Sequence, residues 1–392
     1  MTIRQVMTIG WLILALAGFA QAQDKEFHQI YDLAANGSVG VYSHSGSVRV
    51  TGWDGNRVKV DAVKRGREAD FGKIQIEVSA RPERVEIRVV TPNGLNWRGG
   101  VAVDFEISVP RSAAVNPANT TSGDIVVTGP VERLTARATS GNITATQVSG
   151  ELRANATSGT LTINDAGSRV YAQTNSGSIR VVGARDDVSA TVSSGDIKLE
   201  KIGGRIVARS SSGWIVINEI SGDVQATSFT DDVTVSNVRG RAVVSAISGN
   251  VVLRNISEGV KATAVSGSVS VSDSKGRIEV GATSDSITLT NVDSEEIVAK
   301  TTSGDVQFTG RFHDNGRYEF ESFSGNVGLI VPQDSNFTLS AKTHNGSLNT
   351  EFPLQLSRSI SGGVMTGSVG KGGADVRASS FSGNVRIRKN AR

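Results

Sequence analysis

The chain has 392 residues, 44 of them glycine and 7 proline, no cysteine, 38% apolar residues and a formal charge of +3. Abundant Gly, Ser, Thr and Val favour β-structure with many turns, and a chain without cysteine has no disulfide staples, so packing and backbone ladders must hold it together. A charge this close to balance gives no electrostatic case for nucleic acid.

At the N-terminus Arg4 precedes an apolar run from Met7 to Ala17 that is too short to span a bilayer and is followed by Ala20-Gln21-Ala22. This is the pattern of a secretory signal, residues 1–22, cut between Ala22 and Gln23. Because Gln23 is not a cysteine, no lipoprotein anchor is expected. Removing Arg4 would leave +2, and no later apolar stretch reaches membrane-spanning length. The mature chain is therefore expected in the periplasm, on the cell surface or secreted.

Residues 23–118 read as an N-terminal β segment of longer alternating strands, including 57–64, 73–79, 84–90 and 101–109. Turn signals at Trp53-Asp54-Gly55 and Pro92-Asn93-Gly94 divide them. Such a segment would cap the repeat that follows.

From 119 to 310 the chain repeats every 18 residues. Ser-Gly pairs recur from Ser122-Gly123 to Ser212-Gly213 and again at Ser248-Gly249 and Ser266-Gly267; Thr230-Asp231 and Ser284-Asp285 fill the missing beats. Asp is expected there at positive φ in place of Gly. Two residues after each glycine runs a branched aliphatic column from Ile125 to Ile287, and a second column lies two residues further on, the alternation of a strand with one buried face. A second strand in each unit points Leu134, Leu152 and Val170 inward, followed by a small column from Ala136 to Ala226. A fixed period means that each unit buries its apolar face against its neighbours.

The number of residues per coil follows from an outward column reading Arg133, Glu151, Arg169, Asp187, Arg205, Asp223 and Arg241. An 18-residue coil stacks opposite charges, each pair contributing about 0.2 to 1 kcal/mol, whereas a 36-residue coil would stack Arg on Arg. The expectation is an all-β, parallel β-solenoid with about 18 residues per coil, a thin interior and a rod on the order of 50 Å long. Residues 311–392 continue the motif unevenly, at Ser324-Gly325, Asn345-Gly346 and Ser382-Gly383, as C-terminal irregular coils and a cap.

Three stretches, 46–50 with Gly52-Trp53, 103–110 (VDFEISVP) and 381–387 (FSGNVRI), resemble the bacterial putative-adhesin family of exported β-strand-repeat proteins, a domain of unknown function. The resemblance covers most of the mature chain. It implies a β-solenoid and an envelope or surface location, and it supplies no catalytic residues.

No catalytic, cofactor-binding or metal-ligating residue is assigned. His28, His44, His313 and His344 all lie outside the regular repeat and read as surface or turn histidines. Asp196, Asp231 and Asp232 read as turn residues, and the Gly-rich stretch from Ser361 to Gly373, which contains Gly370-Lys371-Gly372, lacks the rest of a phosphate loop and reads as a flexible hairpin. One irregularity stands out. Trp214 occupies the polar column after the glycine, and the column before the Ser-Gly turn changes from Thr or Ser to Phe229, Ile247 and Val265, then back to Thr283. The reading favoured by the sequence is a widened coil that buries these side chains. The other is an exposed stripe for a glycan or partner protein of the envelope, with Trp214 as stacking anchor.

The expected function is a non-enzymatic, adhesin-like envelope or surface scaffold. The alternative is a polysaccharide-active β-helix lyase or hydrolase, supported by fold analogy. A periplasmic accessory to signalling or export would differ in its partner. Oligomeric state and partner identity are not encoded in any motif.

Overall fold

A computed structural model describes residues 25–90, 100–361 and 363–390. The signal segment, its Ala22–Gln23 cleavage point and the Pro92-Asn93-Gly94 turn lie outside these residues. The fold is a parallel β-solenoid of about 12 turns with roughly 18 residues per coil.

Each regular coil contributes one strand to each of two sheets. On one face Ile143 stands opposite Leu161 and Leu161 opposite Ile179. On the other, Leu152 stands opposite Val170 and Ala154 opposite Ala172. The register is the 18-residue period itself, because any slip would turn the aliphatic columns outward.

Alternation fills the interior. In one coil Ile179, Val181, Ala184, Val188, Ala190 and Val192 are all buried, the larger of them stabilising by roughly 1.5 to 3 kcal/mol each. The alanine column is fully enclosed from Ala136 to Ala226, which confirms the thin interior. A third inward column, Val148, Ala166, Ala184, Ile202, Ile220 and Val238, follows a bend that the sequence reading did not foresee. Each bend is made by a residue at positive φ. Gly129 opens this column and Asn291 ends it, with Gln147, Asp165, Gly183, Lys201, Glu219, Asn237, Asn255 and Asp273 between them.

The outward charge column stacks as expected, but different bonds hold it. Asp187 accepts the backbone N–H of Arg205 at 2.8 Å and Asp223 that of Arg241 at 2.9 Å. Glu151 instead pairs with Arg153 on its own strand at 2.6 Å. Carboxylate-to-amide bonds between coils thus replace the guanidinium–carboxylate pairs anticipated from the alternation.

Both ends depart from the parallel stack. Ser38–Ser45 and Val48–Trp53 already form a coil, pairing in parallel with Ala114–Ser122 and Ile125–Val131. Between these two coils the chain makes an excursion. Ala102–Pro110 adds to one sheet in parallel, and Arg57–Arg65 and Glu26–Asp32 then add antiparallel. Arg84–Val90 and Gln75–Arg81 extend the other sheet.

At the far end Ala374–Ser380 inserts between Arg317–Ser322 and Phe337–Thr343. An aromatic plug fills the widened interior there, with Phe308 against Phe320 at 5.2 Å, Phe312 against Tyr318 at 4.6 Å and Phe337 against Phe352 at 5.5 Å. The Gly370-Lys371-Gly372 stretch joins two strands that both pair with Phe337–Thr343. It is a crossover over that strand, and the hairpin expected within 361–373 lies at the start of that stretch, between the antiparallel strands Gln355–Ser361 and Val364–Val369.

Candidate functional site

The Ser-Gly turns form one long edge of the solenoid. In the first coils their glycines sit at positive φ, from +106° at Gly46 to +155° at Gly159. A Cβ on Gly141 would lie 2.0 Å from the Gly123 carbonyl oxygen, so both backbone conformation and close stacking demand glycine. Beyond Gly213 the turn changes. Asp231 and Asp285 are not among the positive-φ residues, and neither are Gly249 and Gly267. The expectation that Asp would adopt the glycine conformation is therefore corrected: the turn itself is rebuilt.

The residue after each glycine forms a capping ladder along this edge. Asp124 accepts the N–H of Asn142 and Asn142 that of Thr160, at 2.8 and 2.9 Å. Asp232 accepts the N–H of Asn250, and Asp305 that of Asn326, both at 2.7 Å. Asp196 caps the N–H of Trp214 at 3.2 Å, but an indole cannot accept in turn. Asp231 answers at the neighbouring position, taking the Gly213 N–H at 2.9 Å, where the preceding coil uses the Ser212 carbonyl for Gly195. The acids of this edge are thus engaged with backbone amides.

The column before the turn carries the change of surface. It is polar from Thr121 to Ser211 and then presents Phe229, Ile247 and Val265, all exposed, with Phe229 at 52% and Trp214 across the edge at 40%. The widened coil that would have buried them does not form. Ser228, Ala246 and Ala264, each one residue earlier, keep the inward position, and the pleat sends the next side chain out.

The stripe also runs further than sequence reasoning found. By register it passes Thr283 and Thr302 to Phe323, Phe381 and His344. Phe323 and Phe381 stack at 4.8 Å, and His344 stacks on Phe381 at 4.8 Å. The signal was present as Phe323-Ser324-Gly325 and Phe381-Ser382-Gly383, hidden by irregular spacing.

Several ionisable groups elsewhere are paired. His28 bonds Asp61 at 2.7 Å and His313 bonds Asp293 at 2.8 Å. A depression of about 390 Å³ gathers Glu296, Arg317, Glu319, Asp375 and Arg377. There Arg277 holds Glu296 at 2.9 Å, Lys300 holds Glu319, and Arg377 holds Asp375 at 3.1 Å. These are ion pairs between coils and, for Asp375 and Arg377, along one strand, not a poised acid and base. Among the described residues no group of three or more His, Asp or Glu could hold a metal ion, and no helix is long and apolar enough to cross a membrane.

A parallel β-solenoid with its distinctive chemistry along one turn edge is a repeat scaffold. The chain belongs to the Toastrack family DUF4097, whose pattern matches twice, over residues 41–218 and 183–388. The shared stretch contains the last positive-φ Ser-Gly turn and Trp214. No curated protein matches. Two solved structures are similar: a putative cell adhesion protein from Clostridium sporogenes (10% identity over 93% of this chain and 99% of that one, TM-score 0.19) and a putative adhesin from Bacteroides fragilis (13% identity over 63% and 97%, TM-score 0.29).

Proposed function

We propose that the protein is a non-enzymatic, adhesin-like scaffold of the bacterial envelope or surface, which binds a partner protein or glycan along the turn edge of its solenoid. The observation that carries this reading is the exposed stripe from Phe229 to Phe381, with Trp214 beside its start. Exposed apolar clusters such as Phe229, Ile247 and Val265, or Phe323 and Phe381, here separated by Thr283 and Thr302, mark interaction sites, and aromatic side chains supply anchors. The N-terminal secretory pattern supports an exported location.

The test compares wild type with Trp214→Ala/Phe229→Ser and Phe323→Ser/Phe381→Ser on glycan arrays and in crosslinking to intact cells. A polysaccharide-degradation assay runs alongside. At least one partner, protein or glycan, that wild type binds and both variants lose with unchanged melting is expected. The absence of any partner lost in this way, or turnover of a polysaccharide, would overturn the reading.

A further inference from the structure

The polar half of the same edge carries a second, differently built surface. Five successive coils place Tyr42, Asn119, Arg137, Asn155 and Gln173 in one outward row, each in register with the next. A parallel row on the turn side begins at His44 and continues with hydroxyls and an amide from Thr121, Thr139, Thr157 and Asn175. Between the rows Ala138 and Ala156 form a floor, and the space above them is a groove of about 730 Å³. No carboxylate lines it.

Two polar atoms of the groove lack partners. Asn119 Oδ1 and Thr120 Oγ1 are buried with no hydrogen bond. The counterparts of Thr120 are satisfied, since the Thr174 and Ser210 hydroxyls donate to the carbonyls of Gly159 and Gly195 at 3.1 and 3.4 Å. A buried polar atom left unpaired is destabilising, so this end of the groove wall holds two hydrogen-bonding atoms that the protein itself does not use. At the N-terminal end the Tyr42 ring is fixed under the Arg88 guanidinium at 4.2 Å.

We infer that this groove is a binding site for a linear polysaccharide chain lying along the solenoid axis. Amides and hydroxyls both donate and accept, the pairing that sugar hydroxyls need. The rows repeat at about 4.8 Å per coil, close to the rise of one pyranose in an extended β-linked chain, so successive sugars would meet the polar side chains of successive coils. Without a lining carboxylate the groove has no acid–base pair for glycosidic cleavage, so it holds the chain without cutting it. Arg137, in the middle of the row, also admits an acidic sugar. This inference is independent of the aromatic stripe.

Calorimetry with cellohexaose, chitohexaose and β-1,4-linked hexamannuronate tests it on the full mature chain. Saturable binding of at least one is expected, weakened tenfold or more by Asn155→Ala, at a half-buried position, and by Gln173→Ala, at an exposed one, with melting recorded for both to show that the fold is intact. An Arg137→Met loss confined to hexamannuronate would identify an acidic ligand, and an equal loss for all three a neutral one. Trp214→Ala/Phe229→Ser should leave these affinities unchanged. No saturable binding at millimolar sugar, or binding that survives Asn155→Ala and Gln173→Ala, overturns the inference. Binding lost only with Trp214→Ala/Phe229→Ser would move the sugar to the stripe, supporting the proposed function but not the groove.

Discussion

The coils before and after Trp214 differ where the backbone turns and agree almost everywhere else. Both use the same 18-residue register, the same aliphatic columns and the same side-chain caps. Before the junction glycines at positive φ make the turn, and the edge is hydroxyl-rich. After it the turn needs no positive φ, and the edge carries Phe229, Ile247 and Val265. The core therefore sets the period, while turn geometry is free to vary and decides what the surface offers. This is how a repeat protein can change its binding chemistry along its length without a break in the stack.

The comparison can be broken most severely at the glycine turn. Gly195→Val should destabilise by roughly 3 kcal/mol or more, because φ is +136° and a Cβ would lie 2.4 Å from the Gly177 carbonyl oxygen. Denaturant midpoints would measure it, and a neutral outcome would show that the first half can adopt the turn of the second. Ala190→Leu tests the shared core and should overpack it by about 1 to 3 kcal/mol. The converse junction variant, Asp231→Gly, should cost about 1 kcal/mol by removing the cap on Gly213.

The N-terminal excursion supplies a pH test. Asp104 fastens it to the first coil by accepting the Ser47 N–H at 2.8 Å and hydroxyl at 3.0 Å and by pairing with Arg65. Burial pushes its carboxyl up, but the bonds to Ser47 and Arg65 outweigh this and hold it below 3.8. The native state then binds fewer protons than the unfolded chain in that window, so stability rises with pH. The contribution is fully present above the range in which an unfolded aspartate titrates and is lost as pH falls through the lowered native value. Asp104→Asn should flatten the acid limb of a thermal-melting profile. The smallest effect is expected from Phe229→Ser, within about 0.5 kcal/mol because the ring is exposed; a larger loss would mean that the stripe is structural.

Much of this was legible because periodic burial leaves a periodic trace. The columns starting at Ile125 and Ala136 and the charge alternation from Arg133 to Arg241 define the coil. The second bend was hidden by its occupants. Asn237, Asn255, Asp273 and Asn291 suit positive φ, but Gln147, Lys201 and Glu219 take the same conformation without advertising it. Exposure of Phe229 was misread because hydrophobicity alone does not say which way a pleat points. That depended on Ser228, a small polar residue held inward by its neighbours in the ladder.

The segment Ala374–Ser380, wedged between two earlier strands, makes the solenoid a clasp as well as a stack. Regular coils can zip up in sequence, since each strand meets the one just laid down. The final rung instead places Ser380 opposite both Ser322 and Thr343, and so must close a longer loop. Beyond it one sheet ends in the three-residue strand Leu348–Thr350 and the other in the antiparallel Gln355–Ser361, so neither offers a long parallel template for further copies. A repeat that could otherwise propagate end to end is thereby given a counted length.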